Sequence, residues 1–166
     1  MRTKFALMSV LLLACFVAGP AVYAQGGVRS GPDPSTLRDP DLEKDSLHNL
    51  EVARNYFKLK KAYVASLMRL EEIIAGNPNF SKIEEVLLMA GQSSIWLADG
   101  KGKQSPSQYV TYEGGKKHTL TPEQFREMGR DFLTRLVNEH PDGPVTQQAR
   151  DELGTLPPAK LKEAKP

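Results

Sequence analysis

The chain has 166 residues, with 22 lysines and arginines against 20 acids, a single cysteine and 40% hydrophobic residues. A near-balanced charge with no cluster of Lys and Arg on one stretch excludes a nucleic-acid-binding surface. The lone Cys15 excludes a disulfide within the chain, so one small domain must build its core by packing alone.

Residues 1–24 read as a secretory leader, and the first two positive charges, Arg2 and Lys4, belong to it. An apolar run from Phe5 to Ala18 follows, then Gly19-Pro20 and the small-residue site Ala21-Val22-Tyr23-Ala24, which places cleavage after Ala24. Two other readings stand beside this one. Leu12-Leu13-Ala14-Cys15 matches a lipobox, with Cys15 as the lipidated residue. An uncleaved anchor is the third, against which Gly19-Pro20 interrupts a run already near the shortest that spans a bilayer. Loss of the leader leaves 20 basic and 20 acidic residues over 25–166, a formally neutral chain. The expected location is the periplasm, or the periplasmic face of the outer membrane if Cys15 carries a lipid.

Residues 25–38 (QGGVRSGPDPSTLR) are rich in Gly, Pro and Ser and read as a flexible tether. A first helix is expected from Asp39-Pro40, an N-cap followed by proline in the first turn, to about Leu59, with a stripe of Leu47, Leu50, Ala53 and Phe57. A second carries Tyr63, Ser66, Leu67, Leu70, Ile73 and Ile74 and closes at Gly76 with Pro78 beyond. The third opens on Ser81-Lys82-Ile83-Glu84, which fits a capping box, and runs to about Ala98. Its apolar residues go nearly all the way round, as in a helix sandwiched between neighbours.

Residues 100–121 interrupt this pattern with four lysines against one glutamate. QYVTY-EGG-KKHTL fits a hairpin around Gly114-Gly115, whereas KGKQSPSQ before it favours plain loop; loop is the preferred reading. A fourth helix begins at Thr121-Pro122-Glu123-Gln124, with Thr121 as N-cap and Gln124 completing a capping box. Its stripe is Phe125, Met128, Gly129, Phe132, Leu133, Leu136 and Val137. The fifth spans roughly 144–156, stopped by Pro157-Pro158, and a charged tail at 157–166 is expected to be disordered. Gly91 and Gly129 fall inside helices, where glycine costs about 1 kcal/mol against alanine, so each marks a close helix crossing.

An internal self-match organises these elements. LEEIIAGNP from Leu70 aligns with LTRLVNEHP from Leu133 at a constant offset of 63, and the match continues through Val86 with Ala149 and Gly91 with Gly154. Units that cannot bury their own apolar faces stack and share a core. On AYVASLMRLEEIIAGNPNFSKIEEVLLMAG and DFLTRLVNEHPDGPVTQQARDELG the chain resembles tetratricopeptide (TPR)-like repeats. More narrowly it is similar to the BamD-type proteins of outer-membrane β-barrel assembly, over about residues 45–155. The resemblance implies an all-α fold of about five helices, arranged as TPR-like antiparallel hairpins in a short solenoid with one irregular insertion. Residues 39–156 would form that domain, as a short or accessory relative with about two and a half repeats.

Chemistry is sparse. His48, His118 and His140 stand apart from one another and from any metal-ligand spacing, adjacent pairs Glu71-Glu72 and Glu84-Glu85 diverge on a helix, and the Gly-Lys stretches lack P-loop spacing. No catalytic residue, metal or cofactor is assigned. The expected role is binding of an envelope protein on the face of the first and third helices, through His48, Glu51, Asn55, Lys58, Glu85, Met89 and Gln92. Tyr109 and Tyr112 read equally as interface anchors or packing residues, whereas Trp96 reads as core. The competing functions are an adaptor for another envelope system, such as division, secretion or pilus assembly, and an enzyme with the basic segment as its site.

Overall fold

The computed structural model describes residues 38–158; the expected leader with Cys15, the expected tether up to residue 37 and the expected disordered tail from residue 159 lie outside them. Five helices and one small sheet follow in order. Helix α1 (Pro40–Arg54) passes into a wider π-helical turn at Asn55–Lys60, and α2 is Tyr63–Gly76, α3 Ile83–Ala98. A 3-10 turn at Pro106–Gln108 leads to strands β1 (Val110–Glu113) and β2 (Lys116–Thr119), then α4 (Pro122–Glu139) and α5 (Thr146–Thr155). The described chain is thus mostly helical, each helix packing on its neighbour in sequence. No helix among the described residues is long and apolar enough to cross a membrane.

Local chemistry sets the helix ends. Asp39 accepts the Asp41 and Leu42 backbone N–H groups, with Pro40 in the first turn. Thr121 and Gln124 form the reciprocal capping box expected of them. The capping box at Ser81 does not form. The Ser81 N–H is taken instead by the Glu43 carboxylate of α1, and the helix starts two residues later. Gly76 is the last residue of α2 rather than a left-handed cap; Asn77 follows with a non-helical φ of −142°, its side-chain amide donating to the buried Ser46 hydroxyl. That bond displaces one expected stripe residue: Ser46 is buried on α1 while Leu47 stays 39% exposed.

The 63-residue self-match reappears in the backbone. α2 and α4 end at 76 and 139, and α3 and α5 begin at 83 and 146. The connecting turns are copies: Phe80 N–H donates to Asn77 O and Ile83 N–H to Phe80 O, as Gly143 N–H donates to His140 O and Thr146 N–H to Gly143 O. The copies differ in what fills them. Phe80 is buried at the first turn, whereas at the second a Cβ on Gly143 would run into the Glu84 carboxylate.

The two copies join where α3 crosses α4. A Cβ on Gly91 would lie 2.7 Å from the Leu133 side chain, and one on Gly129 would lie 2.9 Å from the Gly91 carbonyl oxygen and 2.8 Å from Ile95 Cγ1. Both glycines therefore let backbone meet backbone, and Val86 to Ser94 of α3 are buried on every side. Aromatic contacts close the rest: Phe57 stacks on Trp96 with centroids 4.8 Å apart, and Tyr63 meets both edge-on.

The residues after α3 are ordered against α2, correcting the plain-loop reading. Lys103 N–H donates to Lys61 O, the Gln104 side chain accepts the Ala65 N–H in the first turn of α2, and the Tyr109 hydroxyl donates to Glu71. β1 and β2 then pair antiparallel about Gly114-Gly115, whose φ of 55° and 76° match the two positive values of a type I′ turn.

Gly129→Ala is expected to destabilise the protein by about 1–3 kcal/mol in urea unfolding, because the methyl meets backbone and the helix-propensity gain of about 1 kcal/mol does not cover the strain. Gly154→Ala in α5, where a Cβ meets nothing within 4 Å, should instead stabilise by up to about 1 kcal/mol.

Candidate functional site

The expected contact residues divide into three groups. The outer face of α1 and its wide turn holds the first: His48, Glu51 and Asn55, with Val52, Tyr56 and Lys60, line an open cleft of about 300 Å³. Its floor is the helix itself, and Lys60 Nζ lies 4.9 Å above the Tyr56 ring, a cation–π contact at the cleft's end. His48, Glu51, Asn55 and Lys58 are exposed.

The second group sits on α3 and is committed inward. Glu85 receives both arms of the Arg54 guanidinium, at 2.7 and 2.6 Å, which ties α3 to α1. That bidentate bond is the main cause holding the Glu85 carboxyl below its usual range, with Lys58 and Lys82 adding to it. Met89 is 4% exposed and packs in the core. Gln92 is buried as well and donates to Glu152 of α5. So Glu85, Met89 and Gln92 share one helix but are satisfied by α1, the core and α5.

The third group belongs to the segment between α3 and α4. Of the two readings open for its tyrosines, Tyr109 takes the packing one: it is 6% exposed, edge-on to Phe125 with centroids 5.5 Å apart, its hydroxyl 2.6 Å from Glu71 Oε1. Burial pushes the Glu71 carboxyl up despite that bond, and burial likewise pushes the Tyr109 phenol far up. Tyr112 is 75% exposed on β1. Trp96, stacked on Phe57, is packed as expected.

Sequence periodicity passed over Arg54, Val52, Tyr56, Lys60 and Glu152. Arg54 follows the stripe residue Ala53 and so lies on the flank of α1, which is the one signal that pointed to it. A second open cleft, lined by Arg38, Phe80, Glu84, Glu139 and His140 among others, includes none of the expected residues. There His140 Nδ1 lies 3.8 Å from Glu84 Oε1. Among the described residues, no three His, Cys, Asp or Glu are grouped so as to hold a metal ion. No family model, curated protein or solved structure matches the chain.

Two outcomes follow from the two perturbed carboxylates. Tyr109→Phe leaves the half-buried Glu71 without its donor and should cost about 1–2 kcal/mol, most of it recovered in the Tyr109→Phe/Glu71→Leu double variant, read by thermal unfolding. Glu85, with its pKa lowered by folding, stabilises above the unfolded carboxylate value of about 4.3 and loses that contribution as pH falls through the lower folded value. Arg54→Met should therefore be less stable than the parent at pH 7, by no more than about 1 kcal/mol for a half-exposed pair, and the two should converge as the pH falls below the folded Glu85 value.

Proposed function

We propose that this chain is a protein–protein interaction scaffold of the cell envelope, built of TPR-like helical hairpins stacked as a short solenoid, and that it serves outer-membrane β-barrel assembly. The observation that carries the scaffold reading is the repeated helix–turn–helix, with matching turns 63 residues apart and a glycine-to-glycine crossing between the copies. Stacked units of this kind present long helix faces, on which an extended or helical segment can lie. The polar cleft of His48, Glu51 and Asn55 supplies an exposed face of that sort on α1.

Binding rather than catalysis is the favoured chemistry. The two perturbed carboxylates each serve a contact between elements, Glu85 with Arg54 and Glu71 with Tyr109, and neither lies beside a nucleophile in a cleft. The envelope setting is supported by the charged, apolar and small-residue order of residues 1–24. The assembly machinery is supported by the resemblance of the two repeat segments to BamD-type proteins.

Capture from crosslinked envelope extract should enrich barrel-assembly components. Enrichment of division, secretion or pilus components in their place would move the chain to the adaptor reading, and enrichment of neither would remove both. The His48→Ala/Glu51→Ala/Asn55→Ala variant should lose the captured partner while its stability stays within about 0.5 kcal/mol per site of the parent, because all three side chains are exposed.

A further inference from the structure

Among the described residues, the β1–β2 hairpin makes no principal contact with any of the helices. Its principal packing on another element is to the 3-10 turn at Pro106–Gln108; β2 is exposed along its whole length, and on β1 Tyr112 is exposed while Val110 and Thr111 are half-buried. Among the described residues, no backbone hydrogen bond joins Val110–Thr119 to another element. A two-stranded ribbon so placed keeps two open edges.

The register says which groups those edges offer. Glu113 pairs with Lys116 across the two-residue turn, Tyr112 with Lys117, Thr111 with His118, and Val110 with Thr119. In such a hairpin the pair flanking the turn exchanges both hydrogen bonds and the pattern alternates from there. Val110 and Tyr112 therefore turn their N–H and C=O groups outward on the β1 edge, as Lys117 and Thr119 do on the β2 edge.

The edges are not alike. β2 reads Lys-Lys-His-Thr, and lysines along an edge are what keeps strands from pairing there. β1 reads Val-Thr-Tyr-Glu, three strong strand formers with no lysine, and the ring of its Tyr112 is 75% exposed. One edge is guarded and the other is not. Charge then selects what pairs with the open one. Residues 100–121 hold four lysines against one acid, while the rest of residues 38–158 carries an excess of acid. On the face that carries Thr111, Lys116 and His118 sit one strand in from the open edge. An acidic side chain on an added strand reaches them across the short threonine, and one on the other face meets Lys117 beside Tyr112.

We propose that β1 is a docking edge at which an extended, acidic segment of another protein adds as a third strand, with Tyr112 as its apolar anchor. Main-chain bonds to Val110 and Tyr112 give the segment its register, and Lys116, Lys117 and His118 give the preference for acid. This surface is separate from the α1 cleft and stands whether or not that cleft binds.

The test is titration of the ¹⁵N-labelled full chain with a synthetic peptide of alternating threonine and glutamate, followed by amide chemical shifts. Shifts should move at Val110 to Glu113 and stay still on α1. The matching threonine–lysine peptide should bind at least about tenfold more weakly, and Lys116→Glu/Lys117→Glu should invert that preference. Tyr112→Pro removes an outward N–H without touching a bond inside the hairpin, and should weaken the acidic peptide by at least about tenfold. Tyr112→Ala serves the same purpose if the proline opens the ribbon. Equal binding of the two peptides, shifts confined to α1, no binding at millimolar peptide, or self-association through Val110–Glu113 without peptide would each overturn the proposal.

Discussion

Everything in this fold depends on two helix backbones coming into contact where Gly91 of α3 meets Gly129 of α4. Side chains ordinarily hold helix axes 8–10 Å apart; with no Cβ on either side, Leu133 and Ile95 can close over the crossing from both directions. That contact joins the two self-similar halves of the chain. It also buries α3 on all sides, so the small residues Ala90, Gly91, Ser93 and Ser94 follow one another where a surface helix would carry long polar ones. The propensity lost at two glycines is repaid by packing that no larger pair could reach.

Polar contacts do a different job, setting positions around that apolar centre. Asn77 with Ser46 fixes α1 against the end of α2, Arg54 with Glu85 fixes it against α3, and Gln92 with Glu152 fixes α5. The segment between α3 and α4 is laid along α2 by Lys103, Gln104 and Tyr109 in turn. One consequence is that the face expected to bind is partly spent. Glu85, Met89 and Gln92 hold the protein together, and the exposed polar set on α1 remains available to a partner.

Periodicity made much of this legible in the sequence, because a stripe at three- and four-residue spacing has one physical meaning. The stripes of α2 and α4, the all-round apolarity of α3, the caps at Asp39 and Thr121 and the role of the two glycines all follow from local rules. What escaped was decided at long range. Ser81 lost its capping role to Glu43, 38 residues away; Leu47 gave its place to Ser46 because Asn77 reached across; Phe80 filled a turn where no periodic pattern applies. The hairpin had its signal in Gly114-Gly115, outweighed by the polar stretch before it, whose order comes from α2 and not from its own residues. The site residues were legible as helix positions, but whether each faced solvent or a neighbour was set by the packing of α1 and α5 on α3.

The type I′ turn bears on how the chain finds its fold. α3 exposes apolar surface on the side away from α2 until α4 covers it, and α4 lies beyond a connection of more than twenty residues. Closing a flexible loop costs entropy that rises with the logarithm of its length. A hairpin forms on the order of 1–10 μs from local contacts alone, and once formed it brings Val110 beside Thr119, so the free chain between the helices is effectively shortened. With the ribbon formed, fewer free residues separate α3 from α4, and the entropy cost of laying α4 on α3 falls accordingly.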